Sequence, residues 1–143
     1  MSLDGYIARP DGAVDFLVND ANARKVMTEF FATIDTAIMG RKTLDDAVRM
    51  REEPIKLPRI LVERLQWRPG KHIFHMGGGE LGRSFLDSDL VDELLLGILP
   101  VLLGAGRPAF PGGFPQREFR LTEHRTFSRS SVLLRYERCR IGS

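Results

Sequence analysis

One cysteine, one tryptophan and two tyrosines in 143 residues set the first limits on this chain. The lone Cys139 excludes an internal disulfide, and with it the small stapled folds of secreted proteins. It fits a reducing compartment, so a cytoplasmic protein is expected. Long apolar runs are missing as well. None reaches the roughly 18–20 residues that a membrane-spanning helix needs, and Asp4 and Asp11 interrupt the N-terminus too early for a signal peptide. There is no strong excess of one charge: 21 Lys and Arg stand against 19 Asp and Glu, a formal +2. With no aromatic stacking motif among its scattered arginines, the chain does not read as a nucleic-acid binder. Metal-ligand spacing is absent. His72 and His75, three apart on a predicted strand, face opposite sides, and His124 stands alone, so no metal is expected. Ser128, Ser130 and Ser131 have no base at a recognisable spacing, so no nucleophilic triad is visible either.

What is present centres on Met76-Gly77-Gly78-Gly79-Glu80-Leu81-Gly82. An apolar run, Ile73 to Met76, precedes it, and a helical pattern through Leu81, Phe85, Leu86 and Leu90 follows. A strand therefore runs into three glycines and then into a helix. Glycines remove every Cβ where the chain turns, so a ligand can approach the backbone closely. The free N–H groups and positive dipole end of the helix point at the same place. That geometry suits a phosphate or diphosphate. A purely structural strand-to-helix joint looks the same in sequence, and the residues alone leave both readings open. Gly77, Gly79 and Gly82 also fit G-x-G-x-x-G. However, the next predicted strand, Leu94 to Leu99, ends at Pro100 without the carboxylate that a dinucleotide-binding Rossmann unit places there.

Along the rest of the chain, Tyr6-Ile7-Ala8 is extended and Arg9-Pro10-Asp11-Gly12 is a turn. Residues 20–34 form a helix, with Asp20 as N-cap and Ala23, Val26, Met27, Phe30, Phe31 and Ile34 on one face. A short strand, 36–39, ends at Gly40, and a further short helix opens at Arg41. Residues 50–59 are a loop and 60–67 a helix. Strands follow near 73–76 and 93–100, a helix lies at 81–90, and loops cover 104–108 and 110–115. Two closing strands lie near 118–127 and 130–137. The last alternates Val132, Leu134 and Tyr136 against Leu133, Arg135 and Glu137. Strands alternating with helices, then a terminal β-hairpin, predict an α/β sandwich. One domain, 1–138, with a short tail, 139–143, is expected from the length.

Three separated motifs resemble one family. Ser2-Leu3-Asp4-Gly5-Tyr6-Ile7-Ala8 followed by Pro10-Asp11-Gly12 is similar to the opening of the dihydrofolate reductase-like family, and more closely to the reductase domain of bifunctional riboflavin biosynthesis enzymes and their stand-alone relatives. Asp35 to Thr43 resembles the family's strand and Gly-Arg-Lys-Thr turn. Met76 to Leu81, Leu90 to Leu94, Pro100 to Gly104 and Gly106-Arg107-Pro108 resemble its second half in order and spacing.

The resemblance implies a dihydrofolate reductase-like three-layer sandwich: a mixed, mostly parallel central sheet with flanking helices and a C-terminal β-hairpin. It also implies an NADPH-dependent reductase, usually a homodimer, that transfers hydride to a pyrimidine- or pterin-like heterocycle. Carried over by position, Gly40, Arg41, Lys42 and Thr43 bind cofactor phosphates. Gly77, Gly78 and Gly79 hold the diphosphate, with Glu80 and Leu81 opening the helix. Ile7 and Ala8 lie near the nicotinamide, and Asp4 faces the active site. For Asp4 a turn aspartate bonding backbone is the equal alternative, and Asp15 is a second candidate in proton delivery. The chain starts directly before Ser2, where the family has a further strand, and 44–72 is shorter than the family's corresponding stretch. A truncated, non-catalytic relative that folds or dimerises but binds cofactor weakly is therefore the alternative expectation.

Overall fold

The computed structural model describes residues 1–17, 21–40 and 69–140. The chain divides into two units, residues 28–78 and residues 1–27 with 79–143.

The apolar periodicity of the first predicted helix produces α1, Ala21–Phe31. It ends three residues earlier than its sequence pattern suggests. The β-branched pair Thr33-Ile34 leaves the helix. Thr33 donates its hydroxyl to the Phe30 carbonyl at 2.7 Å, and Ile34 opens strand β2, Ile34–Met39. In the unit of residues 28–78, β2 pairs in parallel with β3, His72–Met76, in a register that runs to Met39↔Met76. The Phe74 ring meets Phe30 edge-on at 5.2 Å and Phe31 at 5.9 Å, the aromatic cluster of this unit. The Asp35 carboxylate accepts the Lys71 N–H at 2.8 Å and fixes the entry to β3. The predicted helices at 41–50 and 60–67 lie outside the described residues, as does Asp20.

The other unit contains β1, Tyr6–Ala8, helix α2, Gly79–Asp87, and strands β4, Glu93–Ile98, β5, Arg107–Pro108, β6, Phe119–Thr126, and β7, Val132–Arg138. Strand β7 lies between β4 and β6, antiparallel to both, so the predicted C-terminal hairpin forms. The register puts Leu94, Leu96, Ile98, Val132, Leu134 and Tyr136 on one face. The other face carries charge, with Arg135 on Glu93 at 2.6 Å and Arg120 on Glu137 at 3.3 Å. Residues 1–3 run along 97–101. Met1 donates to the Gly97 carbonyl, Leu99 N–H to Met1 and Leu3 N–H to Val101. The first two bonds follow the order of a parallel pair, and the third is shifted two residues on, where the Val101 N–H donates to the Leu99 carbonyl instead. Helix α2 buries Leu86. It stops before the predicted Leu90, because Asp89 takes a left-handed conformation at φ 64, a common helix stop for Asp and Asn. Arg117 (3.1 Å) and Arg138 pair with the Asp89 carboxylate.

The α/β class therefore stands, while the sheet differs in detail. Among the described strands one pair, β2–β3, is parallel and three pairs are antiparallel. The loop predicted at 104–108 also contributes β5, a two-residue strand antiparallel to β1.

Candidate functional site

In the unit of residues 28–78, the register Met39↔Met76 brings the carboxyl ends of two parallel strands side by side. Gly40 and Gly77 are the next residues of each strand, so the chain leaves both strands at one edge. Ligands of open α/β sheets bind at such an edge. At Gly40 a Cβ would meet no heavy atom of the described residues within 4 Å, so among those residues the backbone there faces open space. Gly77 and Gly78 have φ of 70° and 64°, successive left-handed residues that only glycine adopts without strain. Arg41, Lys42 and Thr43 lie outside the described residues.

The third glycine has a different job. Gly79 is the first residue of α2. A Cβ there would lie 2.5 Å from the Pro108 carbonyl oxygen, 2.9 Å from Pro111 Cδ and 3.2 Å from the Ala109 carbonyl oxygen. Gly79 thus lets the helix start against the 108–111 segment, whereas the sequence suggested a ligand contact for its missing side chain. Its N–H group is another matter. Among the described residues, the N–H groups of Gly78, Gly79, Glu80 and Leu81 donate to no protein acceptor. Orphan donors at a helix start are the usual partners of phosphate oxygens. The exposed Glu80 side chain bridges to Arg83 at 3.2 Å, so the N–H of Glu80 and not its carboxylate is left without a partner at the helix start.

Around β1, Ala8 is buried and Ile7 half-buried. Asp4 accepts from the Leu103 N–H at 3.1 Å and the Gly104 N–H at 2.7 Å. Hydrogen bonding to Ser2, then to the Gly104 and Leu103 amides, holds its carboxyl below the usual carboxylate range. Asp4 is therefore an ionised acceptor at neutral pH and a poor proton source. Asp15 is engaged by Arg9 through both oxygens, at 2.6 and 3.1 Å. Ser2, fully buried, closes the same turn: its hydroxyl accepts the Tyr6 N–H at 2.9 Å. Its burial has no sequence signal beyond the motif itself. His75 was considered in the sequence only as a metal ligand. It sits half-buried on β3, two residues before Gly77, and burial pushes its pKa down, so it is neutral at neutral pH.

The model of the RibD C-terminal domain matches residues 55–133, more than half of the chain. The chain belongs to the RibD C-terminal domain family. Among solved structures, a protein from Shewanella sp. PV-4, provisionally assigned to riboflavin biosynthesis, superposes with a TM-score of 0.80 at 26% identity. The match covers 98% of this chain and 96% of that one. RibD from Acinetobacter baumannii shares the fold, with a TM-score of 0.68 at 18% identity, over 96% of this chain and 55% of its own. Two uncharacterized Bacillus subtilis proteins are also similar. YwjB is 28% identical over 96% of this chain and 94% of its own length, and YyaP is 29% identical over 95% and 90%. The YwjB alignment spans 164 positions, more than the 143 residues of this chain, so that relative carries internal residues with no counterpart here. Membership of the RibD C-terminal family and likeness to its dihydrofolate reductase-like folds support a reductase-like function. No described helix is long and apolar enough to cross a membrane.

Proposed function

We propose that this chain is an NADPH-dependent reductase of the 5-amino-6-(5-phosphoribosylamino)uracil reductase type, which transfers hydride to a pyrimidine- or pterin-like small molecule in the cytoplasm. The observation that carries this reading is the edge where β2 and β3 end together. Among the described residues Gly40 faces open space there, and Gly77 and Gly78 take left-handed backbone conformations. In the other unit, the N–H groups that open α2 have no acceptor among the described residues. These features fit a dinucleotide's phosphates: close backbone approach, donors without acceptors, and the positive end of a helix. Gly40, Arg41, Lys42 and Thr43 would hold cofactor phosphates, with Arg41 as a fork donor and Lys42 as a point charge. The backbone of Gly77, Gly78 and Gly79 and the N–H groups of Glu80 and Leu81 would hold the diphosphate. Ile7 and Ala8 give the nicotinamide an apolar wall, and bound NADPH supplies the hydride. Asp4, ionised, orients a water or a substrate N–H and leaves proton delivery to that water. The half-exposed apolar face of β4 and β7 supports a homodimer.

A second reading, a non-catalytic relative that binds cofactor weakly, draws support from the internal residues of YwjB that this chain lacks. One titration separates the two. Saturable NADPH binding, followed by the fluorescence of the reduced nicotinamide and weakened about tenfold or more by Arg41→Ala or Gly78→Val, supports the reductase. A folded protein that leaves NADPH fluorescence unchanged supports the second reading.

A further inference from the structure

Arg107 is a charged side chain whose place neither the fold nor the cofactor edge explains. It lies on β5, opposite Ala8, and is half-buried. A Cβ added to Gly12 would meet Arg107 Nη2, Cζ and Nη1 at 3.0, 3.1 and 3.2 Å. Three atoms of one planar group at nearly equal distances mean that the guanidinium lies flat over Gly12. Its N–H groups point outward within their own plane and are not spent on the turn beneath. Among the described residues, no carboxylate or carbonyl accepts from them.

The acids of the segment that carries Gly12 are otherwise engaged. Asp15 takes the Arg9 fork, Asp4 caps Leu103 and Gly104, and Asp11 accepts the Ala13 N–H at 2.9 Å. A half-buried cation without a partner is costly, because its lost hydration is not replaced. Arginine's planar fork is shaped to take two oxygens of one anion.

The backbone that carries Arg107 is unusually well tied. Asp4 fixes 103–104 and the Ala109 N–H donates to the Gly5 carbonyl at 2.8 Å. Gly106 packs against the Ala8 carbonyl so closely that any side chain there would clash. A fixed donor on a rigid element is what selective recognition requires.

We propose that the Arg107 guanidinium, flat over Gly12 and beside the β1–β5 pair, receives the phosphate monoester of a sugar-phosphate substrate. This deepens the function proposed above and rests on it for the identity of that substrate. The 2′-phosphate of NADPH lies at the far end of the cofactor from the nicotinamide, which the proposed function places against Ile7 and Ala8, on the strand that pairs with Arg107.

The test uses the full chain, with Arg107→Gln removing the charge and Arg107→Lys keeping charge without the fork. Ribose 5-phosphate and ribose are titrated by calorimetry, and NADPH and NADH by nicotinamide fluorescence. Thermal midpoints of both variants check folding; if Arg107→Gln does not fold, Arg107→Lys carries the comparison. The expected result is saturable binding of ribose 5-phosphate but not ribose, weakened about tenfold or more in Arg107→Gln and less in Arg107→Lys. An unchanged NADPH-to-NADH preference in Arg107→Gln is expected beside it. The proposal is overturned if folded Arg107→Gln binds ribose 5-phosphate as wild type does, if wild type does not bind ribose 5-phosphate, or if the NADPH-to-NADH preference collapses in Arg107→Gln. Arg107-dependent binding of ribose 5-phosphate by a protein that ignores both nicotinamides would leave this inference standing and remove the reductase reading.

Discussion

Gly40 and Gly79 are both assigned to the cofactor in the proposed function, yet a methyl group added at each should do opposite things. At Gly79 the new Cβ would lie 2.5 Å from a backbone carbonyl and 2.9 Å from a proline ring, neither the flexible end of a side chain. Overpacking of this kind costs about 1–3 kcal/mol. For a chain of this length, with unfolding entropy near 2.1 cal/mol/K per residue, that corresponds to a fall in Tm of roughly 3–10 °C. At Gly40 the Cβ enters open space, with no heavy atom of the described residues within 4 Å. Stability should then change by less than about 0.5 kcal/mol, as for most surface positions. If that space belongs to the cofactor, Gly40→Ala should instead weaken NADPH binding about tenfold or more, because the phosphate can no longer approach the backbone. The assay is a thermal melt and an NADPH fluorescence titration on each variant. An unchanged melt for Gly79→Ala would refute the packing argument. Wild-type affinity in Gly40→Ala would refute the assignment of the open edge to the cofactor.

Phe74→Ala removes the ring that Phe30 and Phe31 meet edge-on. It should cost about 3 kcal/mol, read as a lower urea midpoint at unchanged slope. His75 has its folded pKa depressed below 6.5 by burial, so the unfolded chain binds its proton first. Its stabilising effect is full above about pH 6.5 and declines as pH falls towards the lower folded value. His75→Gln should flatten urea midpoints between pH 7.5 and 5, and an unchanged slope would contradict the burial argument. Asp4→Asn replaces an acceptor-only carboxylate with an amide whose NH₂ cannot accept. Hydrogen exchange at the Leu103 and Gly104 amides should quicken, and unchanged protection would mean that Asp4 does not hold that loop.

The elements with strong periodicity were readable from the residues. Alternation in β7 predicted its two faces, and the apolar face of α1 predicted that helix to within a few residues. The α2 boundaries were less visible. Asp89 ends the helix through a left-handed backbone that no hydrophobic pattern reports, and Gly79 starts it early because the 108–111 segment, distant in sequence, leaves no room for a side chain. The sheet was the least visible part. Pairing depends on long-range register, so the antiparallel β1–β5 contact, two residues long and ending in a proline, could not be told from a loop. Of the candidate site, the glycine turn was legible because three successive glycines are a local signal. Its division was not: two glycines supply a backbone conformation and the third a packing contact. Arg107 was quoted in the sequence only as part of a family motif. Its lack of a partner is a property of packing, and the residue string contains no sign of it.

The most direct measurement is a titration of the purified full chain with NADPH and, in parallel, NADH, followed by nicotinamide fluorescence. The account predicts saturable binding of NADPH at micromolar concentrations, weaker binding of NADH, and loss of the signal in Gly78→Val. A folded protein that binds neither nucleotide at millimolar concentration would contradict it.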